Sequence, residues 1–408
     1  MSGPYSRRNV LHYAGLAAGA MLGNRGALAQ QTAPGGAPPA GQKGPGGQMP
    51  PGAMGRGAGR SGGRMGGGHP DPFPPVATRS TVSLVKGEDR RKNVYQSLMA
   101  IDAELKPKLA KKKYVIIKVN NVTTTNQLGA THADALRGML DYLGERFKGP
   151  VTIAESSAGD TMQGFENFKY TVLPKEYKSP KVDLLDFNRD GSSVVLPLID
   201  YDLHVVPVRL AKKLMDPDAF VLGAACMKTH NVAIVTLSIK NMVLGAPLHS
   251  APNETTRWND KRRYHVGVRQ FMYNMYLTAK FLQPNWGATV IDGFEGMEGN
   301  GPSSGTPVPS RLAIASTDYL AADRVGAECM GVDPNWLGWL KYSGEVGIGQ
   351  WDLSKIDIKG AQIAEVQKKY QMHGDIEQEL KWMGPMQDLP PNLGWMRPIG
   401  SHPDEAWG

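Results

Sequence analysis

The sequence predicts an α/β protein, a single domain built on a mostly parallel sheet with helices on both faces. Three features lead there: β-branched apolar runs recur along the chain, helical patterns lie between them, and polar residues gather where the runs end. Residues 113–120 (KYVIIKVN) form the first such run and read as a buried strand. A helix follows, opened by Thr131 with Asp134 as its capping partner, and Ala135, Met139, Leu140 and Leu143 mark its inner face. The run 151–154 is the next strand and completes a β-α-β unit. Further strands are expected over 182–187, 219–225, 288–292 and 311–315, and helices over 264–282, 319–330 and 334–343. The stretch 235–243 alternates as a strand would, yet Val232, Val235, Ile239, Met242 and Val243 also fit one helix face. A helix is expected there, with Thr236 and Lys240 one turn apart.

Not all of the 408 residues suit a folded core. Residues 1–29 carry Arg7-Arg8, a weakly apolar run from Tyr13 to Gly23, and Ala27-Leu28-Ala29 as a small-x-small cleavage site. The run is too short and too rich in Gly and Ala to span a bilayer stably. Paired arginines, the weak apolar core and a late Arg25 resemble a twin-arginine leader, with Val10 and His12 where that motif usually has Phe and Lys. The translocase of that route is then the partner during export, and the mature protein is expected in the periplasm or another extracytoplasmic space. Residues 30–80 are dominated by Gly, Pro, Ala and Gln. They cannot bury enough apolar surface to offset ordering entropy, so they read as a tether. The folded domain is expected over 81–362, followed by an extended arm over 363–408 that carries Trp382, Trp395 and Trp407.

The charge agrees with this division. Of the net +8, the first 29 residues hold +3 and residues 30–80 hold +4, which leaves +1 for the rest. A nearly neutral body lacks the basic footprint of a nucleic-acid binder. No other segment is apolar enough for a stable membrane span. The two cysteines, Cys226 and Cys329, sit in apolar stretches that suit buried thiols, although an oxidising compartment would permit a disulfide. Neither has a Cys-x-x-Cys neighbour, so an iron–sulfur cluster held by the chain's own cysteines is not expected.

Chemistry-bearing residues collect at the strand ends, where parallel sheets bind ligands. Lys118, Asn120 and Asn121 close the first strand, and Glu155, Ser156 and Ser157 close the second. Lys228 and His230 follow the 219–225 run, Asp292 ends the next, and Asp318 closes the one after. After Asp292 comes a loop with five glycines between 293 and 305 that also holds Glu295, Glu298 and Asn300. Its spacing is neither a P-loop nor a dinucleotide fingerprint.

These residues resemble the domain-of-unknown-function family numbered 362. The matching pieces are Ile117-Lys118-Val119-Asn120, Ala154-Glu155, Met227-Lys228-Thr229-His230 and 235–241 (VTLSIKN). They continue with His265, the loop from Ile291 to Gly305, and the stretch from Ala321 to Gly331. The resemblance spans about residues 110–362 and implies one domain there. It delivers no activity. Many relatives carry a ferredoxin-like cysteine module that this chain lacks.

An enzyme-like site, a metal site and a binding role are open. In the first, Lys118, Lys228 and Lys240, with Asn120, Glu155, Asn241, Glu298 and Asn300, bind a small anionic or carbonyl-bearing molecule. His230 or His265 would exchange protons beside Lys240 and Asp292, because His titrates near neutral pH. A desolvated lysine also shifts its pKa readily, which admits Schiff-base chemistry. In the second, Glu155, His230, His265, Asp292 and Glu298 hold a divalent metal such as Zn, Mn or Fe, although no compact H-x-x-x-H spacing exists. The third is a non-catalytic module that captures a solute outside the cytoplasm.

Overall fold

The computed structural model describes residues 78–384. The expected leader, most of the tether, and the end of the arm with Trp395 and Trp407 lie outside those residues. Ten strands form one sheet. In chain order the strands are β1 (Ser80–Lys86), β2 (Tyr114–Lys118), β3 (Val151–Glu155), β4 (Val182–Asp186), β5 (Ser193–Ile199), β6 (Val205–Ala211), β7 (Ala219–His230), β8 (Ile234–Thr236), β9 (Trp286–Glu298), β10 (Thr306–Val308), β11 (Leu312–Ser316) and β12 (Ile356–Gly360). The sheet order is β12-β1-β11-β9-β7-β2-β3-β4, with β10 hairpinned onto β9 and β8 onto β7. Strands β5 and β6 form a separate antiparallel ribbon.

Parallel pairing runs from β9 through β7, β2 and β3 to β4, so the carboxyl ends of all five lie on one edge. β11 is the exception: it pairs antiparallel with both β9 and β1. Its end therefore falls on the opposite edge from Glu155 and His230. Asp318 is carried there, away from the other polar strand ends, where it caps the following helix by accepting from Leu320 N and Ala321 N. Sequence alone does not show this reversal, because strand direction leaves no mark on a short buried run.

Eight helices of seven residues or more cover the sheet among the described residues: α1 (Arg90–Ala100), α2 (Asp102–Leu109), α3 (Ala133–Arg146), α4 (Thr161–Asn167), α5 (Ser238–Gly245), α6 (Val268–Leu282), α7 (Tyr319–Cys329) and α8 (Gly338–Glu345). The first four share one core with Val115, Ile117 and Val290. The last four and the β5–β6 ribbon share the other with Ile116, Ile291 and Ile314. Neighbouring residues of one strand thus feed opposite cores, which explains why these strands read as continuous apolar runs. Cys226 and Cys329 are buried free thiols. Among the described residues no helix is long and apolar enough to cross a membrane.

Three local expectations change. The cap of α3 is His132, whose Nδ1 accepts Asp134 N, rather than Thr131. The Thr131 hydroxyl instead joins two strands, accepting Asn120 N at 2.8 Å and donating to Ala224 O at 2.8 Å. The stretch 235–243 is not one helix: Thr236 lies on β8 opposite Lys228, and α5 begins at Ser238. Finally, the glycine loop is half strand, because β9 continues to Glu298 and pairs with β10.

Helix α5 has no capping side chain of its own. Asp323 of α7 supplies one, accepting Ser238 N at 2.7 Å and Ile239 N at 2.8 Å. Burial raises the Asp323 pKa to about 7, although both backbone donors favour its charged form. This contact fixes the start of the helix that carries Lys240 and Asn241.

Beyond β12 the chain crosses the end of α7 and the glycine loop. Lys368 N donates to Cys329 O at 2.9 Å, Tyr370 N to Met330 O at 3.0 Å, and Gly299 N to Gln371 O at 2.7 Å. The Trp382 indole then donates to Trp336 O at 2.7 Å.

Candidate functional site

The carboxyl edge of the sheet buries more positive than negative charge. Lys118 is 0 % and Glu155 2 % exposed. They meet at the ends of adjacent strands, with Lys118 Nζ 2.9 Å from Glu155 Oε1. The same ammonium donates to Val119 O at 2.6 Å and to Asn241 Oδ1 at 3.2 Å. Glu155 also accepts Asn121 N at 3.0 Å and Ser156 N at 2.8 Å. Burial lowers the Lys118 pKa, and the neighbouring Glu155 opposes that fall. Gly245 makes room for this pair: a Cβ there would stand 2.0 Å from Lys118 Nζ and 2.6 Å from Glu155 Oε1. Gly245→Ala is therefore expected to cost about 1–3 kcal/mol, visible as a lower midpoint in urea with an unchanged slope.

Three more lysines complete the cluster. Lys228, on β7, donates to Gly129 O and has its pKa brought down by burial to about 8. Lys261, in the turn before α6, donates to Leu244 O at 2.9 Å, and burial brings it to about 7. Lys240, on α5, is 3 % exposed. Among the described residues its Nζ has neither a hydrogen bond nor an ion pair. Its pKa falls well below that of a free lysine, first through burial and then through the charges of Lys228, Lys261 and Lys118, against which only Glu155 acts. The hydroxyl of Thr236, opposite Lys228 on β8, is buried without a partner, as is Asn120 Oδ1. Buried orphan groups are uncommon in folded proteins, and these two stand on the same edge as the lysines.

His230 borders the cluster. Its Nδ1 accepts Val232 N at 3.0 Å and Ala233 N at 3.2 Å, so the ring proton sits on Nε2. Burial, then the Lys240 charge, hold the ring neutral by pushing its pKa well down. His265 lies on the exposed side, with Nδ1 3.1 Å from Lys261 O. Its pKa is lowered by desolvation and by Lys240, an effect that solvent at the ring damps.

Asp292, Glu298 and Asn300 serve other contacts. Asp292 pairs with Arg90 at 3.2 Å and accepts Phe294 N at 3.0 Å. Its carboxyl is raised by burial and lowered by Arg90. Glu298 accepts Gln371 N at 2.9 Å, and Asn300 Oδ1 lies 2.9 Å from His373 Nε2, so both fasten the C-terminal segment over the glycine loop. The structure therefore brings Lys118, Glu155, Lys228, Lys240 and Asn241 together, with His230 and His265 beside them, and gives Asp292, Glu298 and Asn300 separate partners. Among the described residues no three His, Cys, Asp or Glu side chains group as metal ligands. The reason is visible: Lys118, Arg90 and a backbone N–H already engage the three acids.

Two residues escaped the sequence reading. Lys261 sits in the run Asp260-Lys261-Arg262-Arg263, which looks like a solvated charged turn. Arg90 opens a helix far upstream of Asp292, and no spacing connects the two. Two clefts of about 520 Å³ lie elsewhere, one beside Arg91, Asp141 and Tyr177 and one at the opposite sheet edge by Lys112, Trp286 and Asp318. Neither brings together unpartnered buried groups, so size alone does not outweigh the chemistry of the lysine cluster.

The family model described as "Domain of unknown function (DUF362)" matches residues 115–328, from the first residues of β2 to the end of α7. The chain belongs to DUF362. All of Lys118, Glu155, Lys228, Lys240 and Lys261 fall within the matched span of this DUF362 protein. It is also similar to a thylakoid-associated protein of Synechocystis sp., 29% identical over 145 residues. That alignment covers 35% of this chain and 41% of the relative, so the chain spans about two fifths of the relative's length. A crystal structure of a Thermotoga maritima protein aligns over 57% of each chain at 12% identity and a TM-score of 0.37, too slight a likeness to carry an argument.

Proposed function

We propose that this DUF362 protein uses its carboxyl-edge lysine cluster as an enzyme-like site for a small anionic molecule. The observation that carries the proposal is Lys240, a buried residue whose amine has no protein acceptor, in a cluster of four lysines opposed by Glu155 and, at Lys261, by Asp186. Burying charge without a counter-charge is costly, and an anion entering beside His265 supplies the missing one. The Nε2–H of His230 adds a neutral donor at the same place. A metal centre is the weaker reading, because the acids are already engaged. The twin-arginine-like leader supports an extracytoplasmic location.

Binding of inorganic phosphate tests the site. Removing an ammonium that bonds directly to an anion is worth about 1.5–3 kcal/mol, so Lys240→Met is expected to weaken binding by about 10- to 100-fold. The same change removes a desolvated amine that has no protein acceptor, and the ligand-free melting temperature is expected to rise. Unchanged phosphate affinity measured by calorimetry would remove Lys240 from the site. Export is checked separately: joint Arg7→Lys and Arg8→Lys replacement is expected to leave the precursor inside the cell, and normal export of that variant would favour the general secretory route.

A further inference from the structure

We infer that Lys240 is a nucleophile that forms an imine with a carbonyl-bearing anion, a 2-oxo acid in its simplest form. This rests on the anion site proposed above and names the class of molecule it takes. An amine attacks a carbonyl only through a free lone pair, which means neutral nitrogen that is not already committed as a donor. Three of the four lysines fail this condition. Lys118 Nζ is held by Glu155, Val119 O and Asn241. Lys228 donates to Gly129 O and Lys261 to Leu244 O. Lys240 alone among them has no acceptor, and its neighbours are cations. Burial, and then the charges of Lys228, Lys261 and Lys118, lower its pKa well below that of a free lysine, and this favours the neutral amine.

The surroundings suit each stage. The cations at Lys228 and Lys261 attract the carboxylate of the substrate, and this holds its carbonyl carbon next to Nζ. His230 feels the Lys240 charge, and with its proton locked on Nε2 it would serve as the neutral donor to the carbonyl oxygen. Attack forms the Nζ–C bond and moves the C=O electron pair onto oxygen. One proton leaves nitrogen for that oxygen, a second arrives from a neighbouring ammonium, and the oxygen departs as water. The nitrogen lone pair then closes the C=N bond. No oxidant or reductant is consumed. The product is an iminium with an electron sink on the substrate carbon, the arrangement that assists loss of carbon dioxide or of a proton at the adjacent position.

Reduction with cyanoborohydride tests this, since hydride converts C=N into a stable secondary amine. The full chain is incubated with pyruvate or glyoxylate and the reductant, digested, and mapped by mass spectrometry; inorganic phosphate serves as the anion without a carbonyl. The expected result is one adduct per chain at Lys240, in clear excess over the exposed Lys181, suppressed by phosphate and missing from Lys240→Met. If Lys240→Met does not fold, site mapping on the unaltered protein still decides. An adduct on Lys118, Lys228 or Lys261 overturns the assignment. A melting shift with both oxo acids and phosphate but without any adduct overturns the imine and leaves the anion site standing. No shift with any of the three, and no adduct, overturns both.

Discussion

Glu155→Ala is expected to lower the stability by about 3–5 kcal/mol, the largest effect of any single change at this edge. The carboxylate is the partner of Lys118, and it also accepts two backbone N–H groups, from Asn121 and Ser156. Removing it leaves an ammonium that is 0 % exposed facing three other lysines, together with two unsatisfied donors. For a domain of this size the melting temperature should fall on the order of 10 °C. Added phosphate should restore part of that loss if the anion reaches Lys118. A variant that melts within about 2 °C of the parent would show that the pair is exchanged for solvent at little cost.

The second large effect is in pH. Lys228 near 8, Lys261 near 7 and Lys240 well below its usual value all titrate in the folded chain below the 10.5 of an unfolded lysine. Between about 7 and 10.5 the unfolded chain therefore binds more protons than the folded one, and the ligand-free protein is expected to gain stability as pH rises through that window. The gain is the release of a penalty that is present in full below about 7. Protein stability is usually greatest between about pH 5 and 8, so the sign is diagnostic. Phosphate should act oppositely: its stabilisation is largest near pH 6.5 and fades towards 9.5, as the amines it pairs with lose their protons. Melting temperatures across pH 6–10, with and without phosphate, read both trends. A flat profile would mean that the cluster is solvated and its charges independent.

Much of the architecture was legible in the sequence for a simple reason. β2, β3, β7 and β9 lie inside the sheet and are buried over most of their length, and such strands must be largely apolar. Most of the segments that were missed lack that constraint, although β1, which is also missed, lies between β11 and β12 with Val82, Ser83 and Leu84 buried. The ribbon β5–β6 keeps Val195 and Val205 exposed, and β12 is an edge strand with polar Asp357 and Lys359. The stretch 235–243 failed differently. Its residues satisfy both periods because β8 ends and α5 begins inside it, and the turn is set by Asp323 from elsewhere in the chain. The polar strand ends pointed to Lys118, Glu155 and Lys228 on one edge, since parallel strands deliver their carboxyl ends there, while Lys240 reaches it from α5. They could not reveal Lys261, which arrives from a turn, or that Arg90 engages Asp292. Those pairings depend on tertiary approach and have no periodic signature.

The position of β1 has a practical consequence for where this molecule can be cut. β1 lies between β11 and β12, yet both β1 and β12 fall outside residues 115–328. A fragment trimmed to the family boundaries would strip two strands and leave the whole flank of β11 with unsatisfied N–H and C=O groups. Such a bare flank recruits other chains and seeds aggregation. The recognisable core of the family is thus not a self-sufficient folding unit here. Its margin is sealed by segments from both sides of the matched span, and a workable recombinant piece has to begin before Ser80 and extend beyond Gly360.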